Sequence, residues 1–267
     1  MRELERDLPT DAALAADAPP FSRLAVIGAG RAGRSIATAA TAAGLTVRLA
    51  GRDDALHACR QSEVALLCVP DGEIEAAAAA IAGAAPLVGH TSGATPLNAL
   101  APAGAAAFGL HPLQTFTADS SGLRAFAGAG CAIAGSTAEA LAFAAGLARV
   151  LGMTPFEIDD EGRAAYHAAA SMASNFLVTL QAAAERIAAG AGLEPDEARQ
   201  LLVPLLRRTV DNLAELGPSE ALTGPIARGD EATVAAQRRA IAEEAPELLA
   251  LFDALADHTR AVAAARV

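Results

Sequence analysis

The apolar run Leu24-Ala25-Val26-Ile27 leads directly into Gly28-Ala29-Gly30-Arg31-Ala32-Gly33, after which a helical pattern begins. A strand that delivers G-x-G-x-x-G to a helix N-terminus is built to hold a diphosphate. Gly28 permits the tight turn, Gly30 lets main chain approach phosphate, and Gly33 lets the helix lie close to the strand. The amides from Gly28 to Gly33, those of Ala29, Arg31 and Ala32 included, are then the donors. The expected ligand is a dinucleotide coenzyme. The next strand ends Arg48-Leu49-Ala50-Gly51-Arg52-Asp53, so the acid that would hold the ribose hydroxyls of NAD is missing. Arg52 follows, where a guanidinium can clamp a 2′-phosphate, and NADP is therefore expected over NAD. The plainer reading makes Arg52 a solvated turn residue and Asp53 a helix cap.

Further along, strands run into Val69-Pro70-Asp71-Gly72, His90-Thr91-Ser92-Gly93 and His111-Pro112-Leu113-Gln114. Open α/β sheets gather ligands at such C-terminal strand ends. Val69 and Pro70 are expected to line the coenzyme, Ser92 to bond it, and Thr91 and Gln114 to contact substrate; the alternative for Thr91 and Ser92 is service to loop backbone. Hydride transfer to C=O or C=N leaves a charge that needs a proton, and His111 or His167 is the expected donor. Tyr166, the only tyrosine, precedes His167, Ser171 and Asn175, which are spaced i, i+4, i+8 on an otherwise apolar helix. These four complete the candidate catalytic set, against a reading as interhelical hydrogen bonding. Arg228 is a candidate anchor for a substrate anion. His57 and His258 read as surface residues, and no spacing suggests a metal site.

Elements able to position these residues follow from periodicity. Strands are expected over Leu24–Gly28, Leu45–Ala50, Val64–Pro70, Leu87–His90 and Ala106–Leu110, with helices between the first four, which generates a parallel sheet. A strand near Gly130–Ala134, a helix over Thr137–Leu151 and a strand over Thr154–Ile158 complete it. Beyond Glu161 only helices are expected: Arg163–Gly190, Glu194–Leu216 with a kink or break at Pro204, Asp230–Ile241 and Glu247–Ala265. The fold class is α/β: an N-terminal Rossmann-type parallel sheet followed by an all-α C-terminal domain. The divisions are a flexible acidic leader over 1–20, a dinucleotide-binding domain over 21–158, and a helical substrate and dimerisation domain over 159–267.

Composition bounds the function. A net charge of -11 argues against nucleic acid, because phosphate neutralisation needs clustered cations. All 20 basic side chains are Arg, which removes Schiff-base chemistry and any catalytic lysine. Cys59, Cys68 and Cys131 form no C-x-x-C pair and suit a reducing compartment, so the cytoplasm is expected. The acidic leader is no signal peptide, and no apolar stretch is long enough to span a membrane.

With these motifs in place, the chain resembles the bacterial Rossmann-like proteins that carry the domain of unknown function 2520. These lie in the 6-phosphogluconate dehydrogenase-like superfamily beside pyrroline-5-carboxylate reductase, ketopantoate reductase, prephenate dehydrogenase and deazaflavin-dependent NADP reductase. The resemblance rests on Gly28–Gly33, His90–Gly93, His111–Phe116, Tyr166–Asn175 and Thr223–Asp230. It implies an NADP-binding domain followed by a helical domain that often forms a homodimer. Relatives with a Lys-x-x-x-Asn pair would place Lys at Ser171, so that mechanism does not transfer, and Gln237 stands where the family often shows His. His111 sits where prephenate dehydrogenase-like enzymes have a substrate-contacting His-Pro. The expected function is an NADP(H)-dependent oxidoreductase acting on a small carbonyl or imine compound bearing a carboxylate. A non-catalytic NADP-binding regulator or scaffold, and a deazaflavin-dependent NADP reductase, are the alternatives.

Overall fold

The computed structural model describes residues 21–116 and 125–265; the expected leader over 1–20 lies outside the described residues. Seven strands form one sheet in the order β2-β1-β3-β4-β5-β6-β7. They are β1 (Arg23–Ile27), β2 (Thr46–Ala50), β3 (Val64–Leu67), β4 (Leu87–His90), β5 (Ala106–Pro112), β6 (Gly130–Gly135) and β7 (Thr154–Glu157). Neighbours pair in parallel except β5 and β6, which run antiparallel with Leu110 opposite Ile133. The crossovers are α1 (Arg31–Ala42), α2 (Ala55–Arg60) and α3 (Ile74–Ala80), and α4 (Ala138–Val150) joins β6 to β7. The α/β class is that of the structure and a strand lies in each expected place, but the one expected over Val64–Pro70 ends at Leu67.

The central strands are apolar on both faces because both faces are covered. Leu24, Val26, Leu66, Phe108 and Leu110 pack with Ile36 of α1 and Leu147 of α4. Ala25, Ile27, Ala65 and Leu67 pack on the opposite side with Cys59 of α2 and Ile74 and Ala78 of α3. Small residues let the helices sit close. The chain reverses direction across the sheet at β1, with β2 on one side and β3 on the other, and open α/β sheets gather ligands at the strand ends beside such a switch point.

Two compact units divide at residues 171 and 172. The first holds the sheet and α5 (Arg163–Ala173) as far as Ser171. The second is helical: α6 (Asn175–Ala188), α7 (Pro195–Ala221), α8 (Glu231–Glu244) and α9 (Leu249–Ala264). Ion pairs Arg199–Glu185, Arg238–Asp253 and Arg260–Glu231 link these helices. Asp230 caps α8 by accepting from the Thr233 amide. Two expectations are corrected. The single helix expected over Arg163–Gly190 is interrupted at Ser174, so Asn175 starts a new helix and does not continue the stripe of His167 and Ser171. No non-helical dihedral falls at Pro204; the interruption in α7 is Gly217, at φ 77°. Pro204 is exposed, so water can satisfy the carbonyl its missing N–H leaves free.

Candidate functional site

The glycine turn has the space a diphosphate needs. Gly28 sits at φ 113°, and a Cβ there would run into the Cys68 carbonyl; a Cβ on Gly33 would overlap the Gly28 carbonyl. Both positions therefore exclude a side chain. Gly30, the N-cap of α1, is different: nothing lies within 4 Å of the place its Cβ would take. Gly30 has no side chain to accept from the first-turn amides of α1, including those of Arg31, Ala32 and Gly33. The residues fit a dinucleotide diphosphate. The Gly28 amide donates to the Ala50 carbonyl, fixing the turn beside the end of β2. Ala29 is exposed, as is Pro70, and Val69 is half-buried beyond β3.

Arg52 stands exposed just past β2, with Nη2 2.7 Å from Glu73 Oε2 in the turn after β3. Ser92 is buried, and its hydroxyl accepts from the amides of Ala94 and Thr95 while donating to Thr95 Oγ1, which makes it a loop-forming residue in this structure. Thr91 donates to the Leu67 carbonyl at 3.4 Å. Gln114 bonds the Ala125 carbonyl and the Thr115 amide.

At the end of β5 the structure brings together His111, Tyr166 and His167. His111 Nδ1 lies 2.7 Å from the Tyr166 hydroxyl, and the His111 and His167 rings meet edge to face with centroids 5.9 Å apart. Gly93 makes this possible, since a Cβ there would come within 2.8 Å of His111 Cε1, 2.9 Å of His111 Nε2 and 2.9 Å of His167 Cδ2. Burial, then the neighbouring His167, pushes the His111 imidazole down to about 4, and burial lifts the Tyr166 phenol to about 12. At neutral pH the pair is uncharged. In the tautomer that carries the His111 proton on Nε2, beside Gly93, Nδ1 accepts from the Tyr166 hydroxyl. Ser171 is half-buried one turn beyond His167; Asn175 and Arg228 are exposed in the helical unit.

A second layer lies under this triad. His90 is fully buried, with Nδ1 accepting from the Ser92 amide and Nε2 unbonded. Arg163, 3% exposed, bonds Asp160 through Nε at 2.6 Å, and its Nη2 packs over Gly109. Burial, followed by the Arg163 charge, lowers His90 to about 4. An unfolded imidazole takes its proton near 6.5, while native His90 and His111 resist until about 4. Their stabilisation is therefore complete above 6.5 and disappears as pH falls from there through 4. For His90 the shift is worth about 3 kcal/mol. The urea midpoint should fall over that window, and His90→Asn, which keeps an acceptor for the Ser92 amide, should flatten the fall; an unaltered slope in the variant contradicts the assignment.

Sequence reading gave His90 and Gly93 no role of their own within the motif they bound, and passed over Arg163 and Glu73. Arg163 had a usable signal, standing i–3 and i–4 from Tyr166 and His167 on one helix face. Gly93 and Glu73 matter only through contacts distant in sequence. His57 and His258 are exposed, and among the described residues no group of three His, Cys, Asp or Glu is placed to hold a metal.

Residues 129–259 match the family model described as domain of unknown function (DUF2520). Among solved structures, a candidate NADP oxidoreductase from Bacteroides fragilis is 23% identical with a TM-score of 0.75, over 90% of this chain and 98% of that one. Protein TM1727 from Thermotoga maritima is 24% identical with a TM-score of 0.72, over 91% and 98%. A reductive aminase from Aspergillus terreus, in complex with NADPH and ethyl-5-oxohexanoate, is 18% identical with a TM-score of 0.62, over 91% and 98%. At these identities the likeness is one of fold. No curated protein matches.

Proposed function

We propose, from the match of residues 129–259 to the DUF2520 model within this Rossmann-like fold, that the protein is an NADP(H)-dependent oxidoreductase. Its substrate is a small carbonyl or imine compound bearing a carboxylate. The observation that supports this most is that the glycine turn and the His111–Tyr166–His167 group share one sheet edge, at the C-terminal ends of parallel strands β1 and β5. The NADP oxidoreductase and the NADPH-bound aminase of the same fold favour the same coenzyme, and Arg52 favours NADP over NAD.

The coenzyme, when bound, supplies or accepts the hydride. The chain supplies the proton. His111 Nε2–H bonds the substrate oxygen or nitrogen, and as negative charge grows there its proton crosses. Nδ1 takes the Tyr166 proton in the same event, leaving a neutral imidazole and a phenolate that solvent reprotonates. The Arg163 charge favours that phenolate, so the relay ends beside a compensating cation. Gly93 keeps Nε2 accessible, and Ser92 and Thr95 shape the loop that bears it. Ser171, Asn175, Thr91 and Gln114 as orienting groups, and Arg228 at the anionic end, rest on residue type and position in sequence.

Residues 21–158 then hold the coenzyme, and 159–267 serve substrate binding and subunit contact. A homodimer is supported by the apolar surface of the helical unit, where Phe176, Val178, Leu201 and Leu205 are each more than half exposed. Sedimentation should give twice the chain mass, and a monomer mass rejects it. The unpaired thiols fit the cytoplasm, and no helix of the described residues is long and apolar enough to cross a membrane. Mixing the protein and NADPH with a panel of keto acids and cyclic imines should consume reduced nicotinamide. Bound NADPH that survives the whole panel would reject catalysis and leave an NADP-binding regulator, the reading that the absence of lysine favours.

A further inference from the structure

Arg52 and Glu73 belong to strand ends that are not neighbours. Arg52 follows β2 and Glu73 follows β3, and β1 lies between them. Strands two apart are separated by about 10 Å. The 2.7 Å ion pair therefore spans that gap, in front of the end of β1 where Gly28 begins the turn. Resting on the coenzyme reading above, we infer that Glu73 is a specificity-determining residue that competes with the 2′-phosphate of NADP for Arg52.

The chemistry is an exchange of anions on one guanidinium. Arg52 offers a fork of N–H donors that a carboxylate or a phosphate can accept from. With Glu73 in place the fork is occupied and its charge neutralised. NADP must displace the carboxylate, and the displaced Glu73 then stands beside a phosphate of like charge. NAD brings no anion to this position and gains nothing from a freed Arg52. Glu73 thus lowers preference for NADP without touching the diphosphate or the nicotinamide. Both side chains are at least half exposed, so the competition is screened and its size modest.

Calorimetric titration of NADP+ and NAD+ into the full chain, its Glu73→Gln and Arg52→Ala variants and the double variant tests this. Glu73→Gln should tighten NADP+ by about two- to fivefold and leave NAD+ unchanged. Most of that gain should vanish in the Arg52→Ala background, and added salt should shrink it. Unchanged NADP+ affinity, equal gains for both nucleotides, or a full gain without Arg52 would each overturn the inference while the coenzyme reading stands. Failure of the parent chain and every variant to bind either nucleotide would overturn the coenzyme reading and the inference with it.

Discussion

His111→Asn is expected to lower kcat by about 10²- to 10⁴-fold, the range supplied by a positioned proton donor, while NADPH affinity stays within about twofold. Asn has an amide donor but cannot take a proton on one atom and release one from another. It can hold the substrate and cannot relay from Tyr166. Tyr166→Phe should have a smaller effect of the same kind, because Nε2–H remains and only the return proton is lost. The pH profile carries the sign of the shift: His111 is pushed down to about 4, so the relay stays neutral through the physiological range and turnover falls only as pH approaches 4. Below that, a charged imidazole bears a proton on Nδ1 and no longer accepts from Tyr166. Activity lost instead as pH rises through about 6.5 would mean that an ordinary, solvated imidazolium gives the proton. Equal turnover in parent and His111→Asn would remove His111 from the reaction.

Gly30→Ala separates binding from folding. The residue has φ -71° and ψ -175°, which alanine adopts freely, and open space surrounds its Cβ position. Stability should change by no more than about 0.5 kcal/mol. A methyl group there nevertheless takes up part of that open space, and a diphosphate kept from the first-turn amides by it loses charge-assisted bonds worth about 1.5–3 kcal/mol. NADP affinity should fall by about ten- to a hundredfold with the melting temperature retained. Gly33→Ala should fail differently, since its Cβ collides with the Gly28 carbonyl and α1 must shift. An unaltered NADP affinity in Gly30→Ala would mean that the nucleotide does not use this turn.

Much of this was legible in the sequence because it is local. The central strands are short apolar runs that end at or near Gly, Pro or a polar residue, and the Gly28–Gly33 turn is a contiguous pattern with its own mechanism. The capping of α8 by Asp230 is equally local. What escaped is non-local or lacks a breaker. Gly130–Gly135 reads as a strand in either direction, so its antiparallel pairing with β5 could not be seen. Ser174 interrupts a helix with neither Gly nor Pro beside it, whereas Pro204, a breaker by rule, lies in an exposed turn that tolerates it. Ser92 looked free to bind a ligand, yet its hydroxyl is taken by the amides two and three residues on. Tyr166 and His167 were singled out as neighbours in sequence, but their meeting with His111, 55 residues before Tyr166, needed the fold.

The central claim is that a dinucleotide lies over the glycine turn with its nicotinamide end toward His111. A crystal structure of the full chain grown with NADP+ reads it directly. The expected map shows the diphosphate bonded to amides between Gly28 and Gly33, the 2′-phosphate within reach of Arg52, and the nicotinamide ring on the His111 side of the crevice. Nucleotide bound elsewhere on the protein, or a clear turn with no nucleotide at saturating concentration, would contradict it.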